Sequence, residues 1–485
     1  LEKEKIQSCV FRGNEYLLEQ WEYSDGFNFK PGFMYNEVRL AHSKYLIAGT
    51  SDKIYVTNDS LIIDDWKGFS LDTPIATETC WKTIGTLTLQ DKIFDGEGVL
   101  TEINAISKIH NNPCFKITFD TNDFLICDED HKWVIGFEKE KETEMTSLDI
   151  YNYYQTKQTK LKIKCVGVEL PEKELPIDPY VLGQWLADGN RTCGSITCVY
   201  PEIWQEIQNR GYFVGNNHNH KYPHKAVTRT VYGLHKELTK LNLIKNKHLP
   251  DIYKFSSRTQ RLDLLRGLMD GDGYFHRTRK RCVTDTTQEW QAYMFKELLA
   301  SLGFKPVIFK GLTSGFGKVN IPTWCICFSP EESPFLHRNK DYLDVMKDVR
   351  SYVSKVRYIK SIEKVESVPT KCLAVKSNTK CYLIGKNFIK THNTNAEIKL
   401  KGFNNQKLKY PLNNFNDCEY DKYSIQLGGY AFMLEEIGYT IKDIQFSHYP
   451  KNPDGSYYST PVIYKCTYNK EIIRTLFEDF ANKNS

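Results

Sequence analysis

Apolar and polar residues alternate along 33–67 in YLIAG, KIYV and, after a TND turn, LIID. That period of two predicts strands with one buried face. At the far end, 421–437 (DKYSIQLGGYAFMLEEI) has the spacing of an amphipathic helix, and 442–449 and 460–467 read as strands. The texture between these ends is different. Residues 68–170 are strand-rich with Asp, Gly and Thr punctuation. From 177 to about 355 two apolar helical segments recur, VLGQWLADGN at 181–190 and LLRGLMDGDGYF at 264–275. Within TWCICF, a strand places Cys325 and Cys327 on one face. Residues 357–393 return to short strands. Like ends around an unlike middle predict an insertion, and the lack of low-complexity linkers predicts tight joins.

Composition narrows the class. A chain of 485 residues is too long for one ordinary domain and suggests roughly two to four. Hydrophobic residues make up 40% and charged residues 26%, and mean hydropathy is −0.50. No stretch approaches the ~18 uninterrupted apolar residues of a membrane span. Membrane, disordered and collagen-like classes are excluded. The net charge of +5 permits nucleic-acid binding without demonstrating it. Leu1 follows no apolar leader, so neither a signal peptide nor the natural start is expected. The 14 cysteines are scattered without a CxxC, which predicts reduced thiols in an intracellular protein and no structural metal cluster.

The repeated segment carries the first chemistry. Each copy closes on a small residue and then Asp-Gly, at Ala187-Asp188-Gly189 and Gly271-Asp272-Gly273. The interval from Asp188 to Asp272 is enough for one compact αβ unit per copy. Two such helices can pack through their small residues and bring both carboxylates to the base of one groove. Paired carboxylates suit a hard cation such as Mg²⁺ that also holds phosphate oxygens. The segments resemble the paired motifs of the LAGLIDADG homing endonucleases over about 177–355. The resemblance implies that Asp188 and Asp272 bind metal at a pseudo-twofold centre. It also implies that Lys247, in NKHLP, is the active-site lysine of the Lys-x-x-Pro element in intein-borne members. The second copy's lysine is not assigned.

Splicing residues flank this block. Thr391-His392-Asn393-Thr394 after CYLIGKNFIK resembles an intein C-terminus. There Asn393 cyclises on its own carbonyl, His392 polarises that carbonyl, and the Thr394 hydroxyl is the incoming nucleophile. ICDEDHKW (126–133) resembles the block whose histidine, here His131, activates the first scissile peptide; Asp128 stands where many inteins have Thr. Residues 68–95 resemble an intein opening, but Gly68 occupies the place of its Cys or Ser. Cys80 falls where the block carries a turn glycine. Joining Lys67 to Thr394 gives a continuous LIIDDWKTNAEIKL, which places the intein at 68–393. Gly68 offers no nucleophile, so the first acyl shift, and with it splicing, is expected to be blocked.

What remains, 1–67 with 394–485, is one domain by size. Its GTSD, IDDWKTN (once joined) and QLGGY resemble PD-(D/E)XK nucleases of the RecB-like branch. The resemblance implies Asp52 and Asp65 as Mg²⁺ ligands, Lys67 as the catalytic lysine, Glu37 as a helix acid, and Gln426 with Tyr430 as a supporting pair; no iron–sulfur cluster is expected.

The resulting expectation is a multidomain chain. A split α/β PD-(D/E)XK domain (1–67 and 394–485) surrounds a β-rich HINT-type splicing domain (68–170 and 357–393). Within that lies an α+β LAGLIDADG endonuclease of two pseudo-symmetric halves (171–356). Double-stranded DNA is the expected partner, Mg²⁺ the cofactor of both nuclease sites with none for splicing, and the chain a monomer, cytoplasmic or phage-encoded. The alternative is a non-catalytic DNA-binding remnant, distinguished by salt-sensitive binding without cleavage in Mg²⁺.

Overall fold

The computed structural model describes residues 68–392 except 108, 138–141, 157–159, 217–225, 316–317 and 347–354. In the flanks it describes strand segments within 5–64, and residues 407–436, 441, 444–448 and 462–484.

A β-rich body is assembled from two stretches of chain far apart in sequence. Its antiparallel six-stranded sheet runs Lys162–Lys164, Val356–Val365, Cys114–Phe119, Phe124–Asp128, Phe69–Ser70 and Thr370–Lys371. In CFKITF, side chains on one face reach the core, where Phe115, Ile117 and Phe119 join Phe69, Trp133 and Ile135. A three-stranded sheet pairs Leu100–Ile106 with both Lys92–Phe94 and Leu373–Val375. Chain from before and after the central excursion thus shares both sheets. The excursion leaves and returns at neighbouring strand ends, where the Cys165 amide donates to the Lys355 carbonyl at 2.8 Å.

The excursion folds as an α+β body around two helices, Pro179–Asp188 and Arg258–Asp272. Asp178 caps the first, its carboxylate accepting from the Tyr180 and Val181 amides, with Pro179 at the first position. Ser257 and Gln260 form a capping box on the second. Both end at an extended glycine, Gly189 and Gly273. A four-stranded antiparallel sheet follows the second helix in the order Gly273–His276, Arg281–Thr286, Lys318–Phe328, Val307–Gly315. A smaller pair, Ser195–Cys198 with Val227–Thr230, follows the first. Cys325 and Cys327 do share a face, their sulfurs 3.6 Å apart.

Small residues let the two helices touch along their backbones. A β-carbon on Gly267 would lie 2.2 Å from the Tyr180 carbonyl oxygen and 3.0 Å from Gly183 Cα; one on Gly183 would meet the Leu264 carbonyl oxygen at 2.3 Å. Gln184 Nε2 donates to the Gly267 carbonyl at 2.8 Å. Gly267→Ala should therefore destabilise this α+β body by about 2 kcal/mol or more, outweighing alanine's better helix propensity. Urea unfolding followed by tryptophan fluorescence reads this directly, and an unchanged midpoint would contradict the close packing.

The two bodies are joined by buried polar contacts. Lys296 donates to Asp123 Oδ1 and to the Thr121 carbonyl at 3.2 Å, and Lys305 pairs with Asp120. Arg261, fully buried, donates to the carbonyls of Ser256, Ser301 and Val168.

In the flanks, Met34–His42, Ile47–Val56 and Leu61–Asp64 form an antiparallel sheet in that order. Helix Glu419–Glu436 packs against the first of these strands, and strand Gln445–His448 lies beside the last. The N- and C-terminal flanks therefore meet. Glu37 corrects an expectation, because it lies on a strand and not on a helix. The alternating MYNEVRLAH pattern favours an extended chain paired with its neighbour from end to end.

Candidate functional sites

The first site forms where the two ends of 68–392 come together. Gly68 sits between two strands. Its amide donates to the Asp128 carboxylate, and its carbonyl accepts from the Asp128 amide at 3.0 Å. Asp128 is fully buried. On the other side, Phe69 pairs with Lys371 and Ser70 with Thr370, a register that sets Cys372 opposite Gly68. A β-carbon on Gly68 would fall 2.3 Å from the Lys371 carbonyl oxygen and 2.9 Å from the Cys372 nitrogen. Glycine is thus the residue that fits, and a cysteine here would require the 371–372 backbone to move.

Around this point lie the remaining splicing candidates. The His131 ring packs on Phe69 with centroids 4.2 Å apart and lies edge-on to Trp133 at 5.3 Å. Its Nε2 is 2.5 Å from Thr391 Oγ1. Strand Ile389–His392 pairs with Cys381–Ile384, so that His392 is opposite Cys381, and it packs on strand Lys132–Ile135. Both Thr391 and His392 are buried. Gly68, Asp128, His131 and His392 are therefore brought into one neighbourhood. Asn393 and Thr394 lie outside the described residues, as does Lys67. Cys80 is on a separate hairpin turn, bonded to Thr77.

The sequence motifs give Cys372 no place, and they include Trp133 and Thr391 without a role for either side chain. Cys372 is buried and its thiol forms no disulfide. Its place opposite Gly68 depends on pairing between strands from opposite ends of 68–392, which no local pattern announces.

The second site lies at the C-terminal ends of the two glycine-packed helices. A β-carbon on Gly271 would be 3.1 Å from Asp188 Oδ2, so the helix ends abut. Burial raises the Asp188 carboxyl to about 6, and the like charge of Asp272 adds to the shift. Burial also raises Asp272, against the opposing charges of Lys247 and Arg338. Lys247 is lowered to about 8 by burial, with both carboxylates acting in the other direction.

Two cations take matching places. Lys247 Nζ donates to the Leu186 carbonyl at 3.1 Å, two residues before Asp188, and lies over the Trp185 ring. Arg338 Nη1 donates to the Asp270 carbonyl at 3.0 Å, two residues before Asp272, and to that of Gly271 at 2.7 Å; its guanidinium lies over Tyr200. Arg338 thus fills the place in the second half for which the sequence offered no lysine. It comes from an irregular loop far downstream of Asp272. The buried Asp270 carboxylate holds that loop by accepting from the amides of Leu336, His337 and Arg338. The paired carboxylates offer hard anionic oxygens on two abutting helix ends. Their mutual repulsion is relieved by a divalent cation, so the donor set fits Mg²⁺.

In the flanks, Asp52 lies on strand Ile47–Val56 between Ser51 and Lys53. Those neighbours pair with Val38 and Asn36, a register that brackets Asp52 opposite Glu37. Lys53 also pairs with Asp64. Asp65 lies outside the described residues. Gln426 and Tyr430 are both half-buried on helix Glu419–Glu436.

Comparison with known proteins gives these geometries a context. Residues 259–330 match the LAGLIDADG-like domain family, so such a domain is present. The chain is 25% identical over 362 residues to the replicative DNA helicase DnaB of Mycobacterium intracellulare, a match covering 68% of this chain and 58% of that protein. It is 27% identical over 164 residues to the ATP-dependent DNA helicase Hel308 of Thermococcus kodakarensis, covering 30% of this chain and 14% of that one. The chain thus spans less than two thirds of the length of these relatives. Among solved structures it is similar to the MchDnaB-1 intein (12% identity, 67% of this chain and 99% of that chain, TM-score 0.23). It is also similar to the homing endonuclease I-DmoI in complex with DNA and Mn (14% identity, 35% and 94%, TM-score 0.22). Among the described residues no helix is long and apolar enough to cross a membrane.

Proposed function

We propose that residues 68–393 are an intein carrying a LAGLIDADG homing endonuclease, and that the intein excises itself by using Cys372 in place of the nucleophile absent at Gly68. The observation that carries this reading is the opposition of Cys372 and Gly68 across paired strands, with Asp128 on the Gly68 amide. That amide nitrogen is the leaving group of the Lys67–Gly68 peptide.

The chemistry balances without a side chain at Gly68. The Cys372 sulfur attacks the Lys67 carbonyl, the Lys67–Gly68 C–N bond breaks, and the thiol proton ends on the freed Gly68 amine. The Thr394 hydroxyl then takes the acyl group from sulfur, restoring the thiol. Asn393 attacks its own carbonyl through its side-chain nitrogen, which breaks the Asn393–Thr394 bond and frees the intein. An oxygen-to-nitrogen acyl shift leaves Lys67 joined to Thr394. His131, in contact with Thr391, relays protons at the first junction, and His392 acts at the second. The expected block at Gly68 is thereby replaced by a route through a different residue.

In the nested endonuclease, Asp188 and Asp272 would hold Mg²⁺, which would supply stabilisation of the charge developing on the DNA phosphate. Lys247 and Arg338 orient water and phosphate, one in each half. Double-stranded DNA is the substrate, and the chain acts as a monomer because both halves are present in it. The splicing domain comprises 68–170 with 357–393, and the endonuclease 171–356.

The flanks, joined as Lys67–Thr394, form a RecB-like PD-(D/E)XK nuclease with Asp52, Asp65, Lys67, Gln426 and Tyr430. Glu37 acts from a strand opposite Asp52. The resemblance to DnaB does not conflict with this host. It covers 68% of the chain, and the flanks together make up only a third of it, so at least half of the match falls within the intein.

Intact mass spectrometry under reducing conditions tests the splicing reading. The 56.5 kDa chain should convert to an intein of 68–393 and a ligated product of 1–67 with 394–485. A chain that stays whole, or breaks elsewhere, would overturn it.

A further inference from the structure

We infer that Glu144 is a positioning residue for the second splicing step, holding the imidazole of His392 toward the Asn393–Thr394 junction; this rests on the splicing function proposed above. Glu144 lies on strand Thr143–Thr146, which folds back on Lys132–Ile135 with Glu144 opposite Val134. That second strand begins one residue after His131 and packs on the strand carrying His392. The hairpin therefore reaches from the first junction's histidine to the second's.

The contact is specific. Glu144 Oε1 lies 3.1 Å from His392 Nε2. His392 is almost wholly buried, with 3% of its side chain exposed, while half of the Glu144 side chain reaches solvent. The approach is an ion-pair contact without hydrogen-bond alignment, and among the described residues Nε2 has no hydrogen-bond partner. A carboxylate at ion-pair distance from one nitrogen of a buried imidazole favours the tautomer that carries its proton on that nitrogen. The ring's other nitrogen is then aimed away from the carboxylate, toward the following peptide. Cyclisation requires a proton there. As the Asn393 nitrogen closes on its own carbonyl, the Thr394 nitrogen leaves and must be protonated. The contact also lowers the Glu144 carboxyl to about 2, through its interaction with and the charge of His392, with Lys132 at 3.4 Å assisting. Glu144 is therefore ionised at any pH at which the protein works.

The Glu144 carboxylate faces His392 and Lys132, whereas the first junction is built from Gly68, Asp128 and Cys372. The test follows both junctions in the full chain. Dithiothreitol releases residues 1–67 from the Cys372 thioester, and Asn393 cyclisation releases residues 394–485. Glu144→Gln should slow release of the C-terminal flank about tenfold and leave thiol-induced release of the N-terminal flank within about twofold. Glu144→Asp should restore most of the lost rate. Equal slowing at both junctions would mean a structural role, and an unchanged C-terminal rate would mean no role; either overturns the inference. If the unaltered chain releases neither flank, the splicing reading itself falls, and the inference with it.

Discussion

Cys372→Ala should abolish thiol-induced release of the N-terminal flank, slowing it about 10³-fold or more, while Cys80→Ser leaves it unchanged. The size follows from removing an attacking atom, which no neighbour replaces. The selectivity follows from geometry, since Cys372 is opposite Gly68 in the sheet and Cys80 is held on a separate turn by Thr77. Mass spectrometry before and after dithiothreitol reads the released fragment 1–67. The reverse pattern, with Cys80→Ser inactive and Cys372→Ala active, would move the junction to Cys80. Gly68→Cys is a poorer probe. Its β-carbon would collide with the Lys371 carbonyl, so lost splicing in that variant would report a displaced strand.

Asp188→Asn and Asp272→Asn should each reduce Mg²⁺-dependent DNA cleavage about 10³-fold, with salt-sensitive DNA binding retained. They should also make the metal-free protein more stable at neutral pH. The folded-state carboxyl of Asp188 is raised from 3.8 to about 6, by burial first and the Asp272 charge second. The folded chain therefore holds this proton more tightly than the unfolded chain. Stability falls as pH rises from about 4 through about 6, and the penalty then persists. Replacing Asp188 by Asn removes a penalty of about 2 kcal/mol at pH 7.5, after allowance for partial exposure. Calorimetry in EDTA should show a higher Tm for Asp188→Asn at pH 7.5 and a much smaller difference at pH 4. Divalent-metal affinity of the unaltered protein should rise across the same window, because only the ionised carboxylate binds. A variant with lower stability at pH 7.5 would argue against a repulsive carboxylate pair.

What could be read from sequence was what repeats locally. The helices at 179–188 and 258–272 declared themselves through apolar spacing, small residues and a terminal Asp-Gly, and these same small residues make the backbone contact. Cys325 and Cys327 followed from strand alternation. Cys372 escaped because its meaning comes from a partner strand beginning at Phe69. Arg338 escaped because an irregular loop, pinned by the Asp270 carboxylate, delivers it. Glu37 was legible as strand in its own alternation, and the resemblance to a nuclease family pointed to a helix instead. Local periodicity was the better guide there.

The hydrogen bond from Cys165 to Lys355 closes the base of the α+β excursion. Each side of that bond continues in a strand of the same sheet, with Lys164 opposite Val356. Excising the intervening module would leave ends that a short turn can bridge at little loop-closure cost. The buried connections lost would include the Lys296–Asp123 pair and the apolar cluster in which Phe255 and Ala300 meet Phe94 and Phe388. The two proposed chemistries are consequently separable cargo and carrier, and a miniature carrier would keep both of its sheets after the cargo has gone.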